Sequence, residues 1–406
     1  MKSYWGVFVV LSVFFLGCKQ EIENKALEYV VDIHLENSEI FFDTELHHVS
    51  GLDSISFKIS KSIKDIKVSG LNVESMKLDS LDEYQNLITL SLNGKEKSQG
   101  VIRFTYAIDL EKALVETTGG IGVLLQGVAL IPVVKSEIFT PPTYIFKIEN
   151  ESKYHLFSNF TDGVKATTHK VVLNITEKPF DVYKGLNSTI LTLNKDSVFV
   201  KSIDTALTSV VSYYSSVFDE DIPTFTILVN DFGNHSFYSS PGFVNLYYYN
   251  ERGVDNKDVD YEYLYSTLYH EVAHKWFSMT NVYNGSPSAF IDEGFADYLT
   301  VMYARKEYGE AYFEQIMDRY KEYANGAVSI MSVNDEIEFD ERAKSLYGKG
   351  MLFCYELELH LGREAFVDFL KLLVRERPVN IEALMVLINE NYDKRIYDLA
   401  WSLLNN

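Results

Sequence analysis

The hydrophobic pattern of the 406-residue chain changes from strand-like to helix-like about half-way along it. Up to residue 180, short runs of alternating apolar and polar residues, such as 55–59 and 101–106, are separated by Gly, Asn, Asp and Ser. From residue 197 onward the apolar residues recur with a helical period, as in 198–218. This order predicts an α+β protein in which a β-rich domain precedes a mainly helical one.

The change of pattern divides the chain into an all-β domain at 18–185 and a second domain at 186–406. The strand spacing of the first predicts a β-sandwich or a large curved sheet. In the second, strands are predicted at 224–229 and 243–249. Helices are predicted to follow at 260–280, 287–308, 310–324, 343–361, 363–376, 379–391 and 395–404.

Residues 1–17 are predicted to be a signal peptide. Lys2 precedes an apolar run at 5–16, which is shorter than the roughly 20 residues of a membrane-spanning helix. The run ends in Phe-Leu-Gly-Cys18, which resembles a bacterial lipoprotein signal. That resemblance implies a lipid on Cys18, a membrane partner through this lipid, and a location in the bacterial cell envelope. The alternative is an ordinary secretory signal followed by a chance cysteine.

The charge of the chain excludes one class of partner. There are 37 Lys and Arg against 58 Asp and Glu, a formal net charge of −21. Nucleic-acid binders need clustered basic residues to attract the phosphate backbone, so we expect no nucleic-acid partner.

The pattern His270-Glu271-Val-Ala-His274 carries the strongest chemical signal. Two histidines four apart on a helix differ by about 40° in azimuth, so both imidazoles project from one face. This geometry suits one Zn²⁺ ion. Glu271 lies beside them, where it can act on a water molecule at the metal without binding the metal itself.

A catalytic zinc site needs three protein ligands and one open position. The candidate third ligand is Glu293, 19 residues after His274. Ser286-Pro287 just before it predicts a helix start, which places Glu293 in the second turn of that helix. Asp297 lies one turn further on the same face. It is either an acceptor for the free ring N–H of a ligand histidine or a solvated helix residue.

These residues resemble the gluzincin metallopeptidases, and more narrowly the M1 family of aminopeptidases. That family has His-Glu-X-X-His, eighteen residues, and then Glu within a Glu-Gly-Phe/Leu-Ala run, which here reads Glu293-Gly294-Phe295-Ala296. The resemblance implies a saddle-like N-terminal β-domain and a thermolysin-like catalytic domain. It also implies that the long C-terminal helical domain of larger members is missing after Asn406.

The resemblance implies two further site elements. The family has an oxyanion-stabilising tyrosine, often in Tyr-X-Lys-Gly, and Tyr347 stands in Tyr-Gly-Lys-Gly, 54 residues after Glu293. The family also binds the substrate amine through the glutamate of Gly-X-Met-Glu-Asn on an edge strand. We align Gly242-Phe-Val-Asn245-Leu with that motif, so Asn245 replaces the acid. An amide supplies no counter-charge, which puts strict aminopeptidase specificity in doubt.

The sequence thus predicts a zinc-dependent peptide hydrolase that is M1 aminopeptidase-like. One Zn²⁺ is held by His270, His274 and Glu293, and metal-activated water attacks the peptide carbonyl. Glu271 and Tyr347 are the predicted catalytic residues, and Gly242 and Asn245 the predicted substrate-binding ones. Two alternatives stay open: an endopeptidase, and a non-catalytic surface lipoprotein that uses a zinc-containing fold to bind peptides.

Overall fold

The computed structural model describes residues 27–36, 39–49, 53–70, 73–81, 85–93, 100–109, 120–124, 131–134, 143–160, 162–166, 172–193, 196–230, 238–240, 242–247, 261–280, 285–334 and 336–406. Cys18 and the predicted signal peptide lie outside these ranges. The described part is β-rich up to residue 193 and mainly helical from residue 261, which confirms the predicted α+β class. None of its helices combines the length and the apolar character that crossing a lipid bilayer requires.

Alternating burial explains the strands of the N-terminal region. In β1 (Glu28–Glu36) every second side chain is buried, as expected for a strand with one face in a core. The other strands of this region are β2 (Glu39–Val49), β3 (Ser54–Ser60), β4 (Lys64–Gly70), β5 (Val73–Ser80), β6 (Gln85–Leu92), β7 (Gly100–Asp109), β8 (Gly120–Leu124), β9 (Val133–Val134), β10 (Thr143–Asn150), β11 (His155–Ser158), β12 (Lys165–Ala166) and β13 (Val172–Thr176).

Two sheets of this region share one core. Among the described residues, one sheet has the order β12-β10-β1-β2-β7-β4 and the other β5-β6-β3-β9. Phe57 of β3 and Phe104 of β7 are both fully buried and meet edge-to-face, with ring centroids 5.0 Å apart. A third sheet, β11-β13-β8, adds Leu173 and Ile175 to the same core. The N-terminal region is therefore of the predicted sandwich type.

A mixed sheet opens the second region. Its strands are β14 (Asp181–Lys184), β15 (Ser188–Thr192), β16 (Phe225–Asn230), β17 (Tyr238–Ser240) and β18 (Phe243–Tyr247). The order is β14-β15-β16-β18-β17; the three central strands are parallel, and β14 and β17 pair antiparallel at the two edges. The sheet thus begins at Asp181, on the N-terminal side of the predicted boundary at residue 185.

The helices follow the predicted pattern with shifts at their ends. The first, α1 (Ser197–Phe218), begins where the Asp196 side chain accepts from the amides of Val198 and Phe199. The others are α2 (Tyr261–Ala273), α3 (Phe290–Tyr308), α4 (Glu310–Tyr323), α5 (Phe339–Ala343), α6 (Gly350–Leu361), α7 (Arg363–Glu376), α8 (Ile381–Asn391) and α9 (Lys394–Asn405), with short 3₁₀ turns at Pro287–Ala289 and Ile330–Ser332.

Two predicted helices are interrupted. The helix expected at 260–280 ends at Ala273, so His274 lies in the turn that follows it. The helix expected at 343–361 is divided by a π-helical segment, Lys344–Lys349, between α5 and α6. Such wide turns are frequent at functional sites, and this one carries Tyr347.

The mixed sheet is covered on both faces. Val244 and Leu246 of β18 belong to the large core that the helices share. Phe243, which alternates with them, faces the other way and stacks on Phe157 of β11, with ring centroids 5.7 Å apart. The sheet therefore lies between the helices and the N-terminal region, and α2 packs on its helical side.

Candidate metal centre

Helix α2 presents the two histidines because its other side is buried. Leu264, Leu268 and Val272 recur every four residues and are at most 2% exposed, within the core formed with the mixed sheet and α1. This packing sets the rotation of the helix about its axis. His270 and His274 then project together from its C-terminal end, and their Nε2 atoms lie 3.1 Å apart.

Helix α3 brings the third donor. Ser286 accepts from the amide of Ser288 and caps a 3₁₀ turn that starts with Pro287 and leads into α3. Glu293 lies in the first turn of α3 itself, and its Oε2 is 3.3 Å from Nε2 of His270 and 3.4 Å from Nε2 of His274. The predicted helix start and the predicted pairing of Glu293 with both histidines are thus present in the structure.

The three donor atoms fit a zinc ion. They form a triangle with sides of 3.1, 3.3 and 3.4 Å. A tetrahedral Zn²⁺ with bonds of about 2.0–2.2 Å needs ligand atoms about 3.3–3.6 Å apart, so the observed sides are close to the requirement. Within the described part of the chain, these residues form a group able to hold a metal ion. Two imidazole nitrogens and one carboxylate are a donor set that zinc accepts.

The second nitrogen of each ring already has a partner. Nδ1 of His270 is 2.7 Å from Oδ1 of Asp297, and Nδ1 of His274 is 2.7 Å from the carbonyl oxygen of Phe277. Both partners are acceptors, so each Nδ1 donates its hydrogen. The Nε2 lone pairs are then left for the metal, which is how an outer acceptor selects the ligating tautomer. Asp297 is buried and is therefore not a solvated helix residue.

The charges of the group are strongly coupled. Burial by itself lowers the pKa of His270, but Asp297, Glu293 and Glu271 outweigh it and raise that pKa well above its usual value. Burial likewise raises the pKa of Glu293, yet His274 and His270 hold it well below its usual range. The buried carboxylates therefore stabilise positive charge at the point where the three donors converge.

The two predicted catalytic side chains border the donor triangle. Glu271 is 5% exposed, and its Oε2 is buried with no hydrogen-bond partner among the described residues. Tyr347 is half-buried; its ring centroid is 6.0 Å from that of His270, and its hydroxyl lies near Glu293. Burial and the charges of Glu293, Asp297 and Glu271 raise the pKa of Tyr347 well above its usual value, so its phenol stays protonated.

Two glycines bring Tyr347 to this position. A Cβ on Gly294 of α3 would lie 2.7 Å from the carbonyl carbon of Gly350, which starts α6. The backbones of α3 and α6 therefore cross in direct contact, one residue after Glu293 and three residues after Tyr347. Only glycine permits this approach. The glycines of the two motifs thus act together, although they are far apart in the sequence.

Sequence reasoning missed two residues that support this centre from outside the donor triangle. The Tyr320 hydroxyl, on α4, lies near the Asp297 carboxylate, whose charge contributes to raising the pKa of Tyr320. Asp292, adjacent to Glu293, is buried and accepts from the amide of Met279 at 2.7 Å and from the hydroxyl of Thr280 at 2.8 Å. Neither carries a sequence signal, because Tyr320 is one of 28 tyrosines and Asp292 looks like any acid in a first helical turn.

The prediction that Asn245 replaces an amine-binding glutamate on an edge strand is wrong. Asn245 is fully buried on β18, which pairs with β16 on one side and with β17 on the other. It shares the sheet face of Phe243, which packs toward the N-terminal region, away from α2. Gly242 directly precedes this interior strand, with φ +78°. Among the described residues β17 is the edge strand, and β18 is paired on both sides, so the strand around Asn245 has no free edge at which a peptide could pair.

The comparisons with known proteins agree with this geometry. The sequence profile of the peptidase family M1 domain matches residues 248–400. The fold is similar to that of an M1 zinc metallopeptidase from Deinococcus radiodurans, solved with a bound Tyr-Ser-Ala substrate, at 13% identity and a TM-score of 0.59, covering 94% of each chain. It is also similar to native leukotriene A4 hydrolase from Saccharomyces cerevisiae, at 15% identity and a TM-score of 0.66, covering 92% of this chain and 66% of that one. A search of curated protein sequences found no match.

The structural likenesses establish the two-domain fold, and the profile match covers the residues that supply the metal-binding group. Residues 248–400 therefore match the peptidase family M1 domain in sequence, and the two-domain fold and the metal-binding group agree with that match.

Proposed function

We propose that the chain is a zinc-dependent peptide hydrolase. The observation that carries this proposal is the donor triangle of His270, His274 and Glu293, in which both outer imidazole nitrogens donate to fixed acceptors. The M1 domain match and the zinc metallopeptidase neighbours support it. A Zn²⁺ ion bound there supplies a Lewis acid that polarises the peptide carbonyl and makes water more acidic.

Glu271 is the proposed general base and acid. It follows His270 in α2, three residues before His274, and has a buried carboxylate oxygen without a partner in the described structure. That oxygen is available to take a proton from the attacking water. The same carboxyl group then delivers the proton to the leaving amine.

Tyr347 is the proposed donor to the oxyanion. Its hydroxyl lies at Glu293, beside the donor triangle, and its raised pKa keeps it protonated at neutral pH. A neutral phenol donates a hydrogen bond to the negative charge that develops on the substrate oxygen. In this proposal the position of the hydroxyl near Glu293 places the phenol for that role.

We further propose that the enzyme does not select strictly for a free N-terminal amine. Because Asn245 faces away from the zinc helix, an amine-binding acid would have to come from elsewhere near the sheet edge. Between residues 231 and 247 the sequence contains a single acidic residue, Asp231. With so few carboxylates in this segment, the preference for an ammonium group weakens. The expected substrates therefore include peptides with blocked amino termini.

The test compares free and N-acetylated forms of the same peptides, with zinc quantified in the same sample. Tyr-Ser-Ala is a suitable first substrate, since the Deinococcus radiodurans neighbour binds it. Comparable kcat/KM for both forms supports the proposal, whereas a loss of more than about 100-fold on acetylation shows an aminopeptidase with another amine anchor. A zinc-loaded protein that binds these peptides and cleaves none would instead be the peptide-binding lipoprotein.

We also propose that the protein is anchored in the bacterial cell envelope by a lipid on Cys18. The support is the Phe-Leu-Gly-Cys sequence that ends the apolar run. Mass spectrometry of the protein from its native membrane should find a diacylglyceryl group on Cys18. A mature N-terminus at another residue would contradict the proposal.

A further inference from the structure

The position of the ligand His274 is not set by the zinc helix alone. Helix α2 ends at Ala273, and His274 begins the segment 274–280 that leads away from it. The ring is oriented by the 2.7 Å bond from its Nδ1 to the carbonyl of Phe277, within that same segment. Contacts that fix the position of this segment therefore also fix the direction in which Nε2 of His274 points.

Asp292 is the acid that holds the far end of this segment. Its Oδ1 accepts from the amide of Met279 at 2.7 Å and from that of Thr280 at 3.3 Å, while its Oδ2 accepts from the Thr280 hydroxyl at 2.8 Å. The carboxylate is 8% exposed, and bonds of a buried carboxylate to amides and hydroxyls are charge-assisted and strong.

Asp292 also belongs to the element that supplies another ligand. It directly precedes Glu293 in the first turn of α3. One helical turn therefore provides both the carboxylate that faces the metal position and the carboxylate that anchors the segment after His274. A shift of this segment relative to α3 would change the separation of Nε2 of His274 and Oε2 of Glu293, now 3.4 Å.

We propose that Asp292 is a positioning residue for the metal centre, which it serves by holding residues 277–280 so that the Phe277 carbonyl fixes the ligating tautomer of His274. This inference rests on the proposed zinc function. Asp292 does not contact the donor triangle itself; it acts through Met279 and Thr280 on the backbone that carries the acceptor for His274.

The experiment compares Asp292→Ala with Asp292→Asn. Zinc affinity is measured by chelator competition. In protein with ¹⁵N-labelled histidine, NMR measures the protection of the His274 Nδ1–H proton against exchange, in metal-free and zinc-loaded samples. We expect Asp292→Ala to weaken zinc binding about 10–100-fold and to lose that protection. Asp292→Asn should restore most of both, because its carbonyl oxygen still accepts from Met279 and its amide can donate to the Thr280 hydroxyl.

Glu358→Ala is the matched control. Glu358 is another buried carboxylate, 7% exposed, and it accepts from the Tyr298 hydroxyl of α3 at 2.6 Å and from Arg305 at 3.0 Å. None of these contacts involves residues 274–280. The control should therefore lower the melting temperature while zinc affinity and the His274 signal stay as in the wild type.

The outcomes separate this inference from the proposed function. If Asp292→Ala lowers stability but keeps wild-type zinc affinity and His274 protection, Asp292 is only structural and the inference is overturned. If the wild-type chain binds no zinc, the proposed function fails, while the metal-free NMR comparison still decides the role of Asp292. If Asp292→Ala does not fold, Thr280→Val removes one donor alone; a smaller loss of protection supports the inference, and unchanged protection overturns it.

Discussion

Replacing Gly294 by alanine should impair the enzyme more than it impairs the fold. The added Cβ would lie 2.7 Å from the carbonyl carbon and 2.8 Å from the Cα of Gly350, and both atoms are backbone. Ordinary contact needs roughly 3.4 Å or more, so α3 and α6 must separate by about 0.7 Å in a close-packed interior. Glu293 is on α3, and Tyr347 lies just before α6. A shift of either helix therefore moves a site residue.

Two terms of opposite sign decide the effect on stability. Overpacking of this kind costs about 1–3 kcal/mol. The gain in helix propensity from glycine to alanine offsets about 1 kcal/mol of it. The net loss in the free energy of unfolding should therefore be about 0–2 kcal/mol. Catalysis is more sensitive, because a misplacement near 1 Å can lower the rate about 100-fold.

Gly350→Ala serves as the internal control. Its Cβ would meet the Cα of Gly294 at 3.2 Å and the Cβ of Phe290 at 3.5 Å, so it requires a smaller displacement while gaining the same propensity. Both variants are assayed for kcat/KM, zinc affinity and thermal unfolding. We expect Gly294→Ala to lose about 10–100-fold in kcat/KM and Gly350→Ala clearly less. If zinc affinity falls as well, α3 has moved; if it does not, α6 has moved. Wild-type activity of Gly294→Ala, or a larger loss in Gly350→Ala, would refute the argument.

Three further predictions concern the site itself. Glu271→Gln should retain one zinc per chain and lose peptide hydrolysis, because an amide cannot take the proton of water. Metal analysis and a peptide assay measure the two properties. Full activity of this variant would refute the mechanism. Tyr347→Phe should lower kcat about 10²–10³-fold with little change in KM, as measured by steady-state kinetics, and an unchanged kcat would exclude the oxyanion role. Removing zinc with a chelator should lower the free energy of unfolding by about 2.7 kcal/mol, relative to protein in a zinc concentration of 100 times Kd. Calorimetry with and without added zinc tests this. An unchanged unfolding transition would argue against a metal at this centre.

The grouping of the three candidate metal ligands could be predicted because its pattern is local. His270 and His274 are four residues apart at the end of one helix, so their shared face follows from the helix repeat, with Glu271 beside them. Glu293 and Asp297 are also one turn apart, and Ser286-Pro287 indicates where their helical segment begins. Tyr347 could be proposed only from the resemblance to the M1 family, since 54 residues of chain separate it from Glu293.

The wrong prediction for Asn245 concerned strand pairing, which spacing along the chain does not determine. The distance along the chain to the zinc helix was suitable, but the pairing of a strand is a non-local property. Here β17 forms the edge of the mixed sheet, and β18 lies inside it with Asn245 turned toward the N-terminal region. When a strand is shifted by one residue, the side chains of its two faces change places. An error of one position therefore assigns every residue of the strand to the wrong side of the sheet.

The sequence by itself determined the order of the two regions, most of the helices and the choice of candidate metal ligands, because these depend on hydrophobic periodicity and on spacings within single elements. Only the tertiary structure decided which residues support that group. Three contacts join different elements: Gly294 touches Gly350, Tyr320 lies near Asp297, and Asp292 accepts from Met279 and Thr280. Such contacts arise when helices and sheet pack their buried faces together, and no local pattern in the chain specifies them.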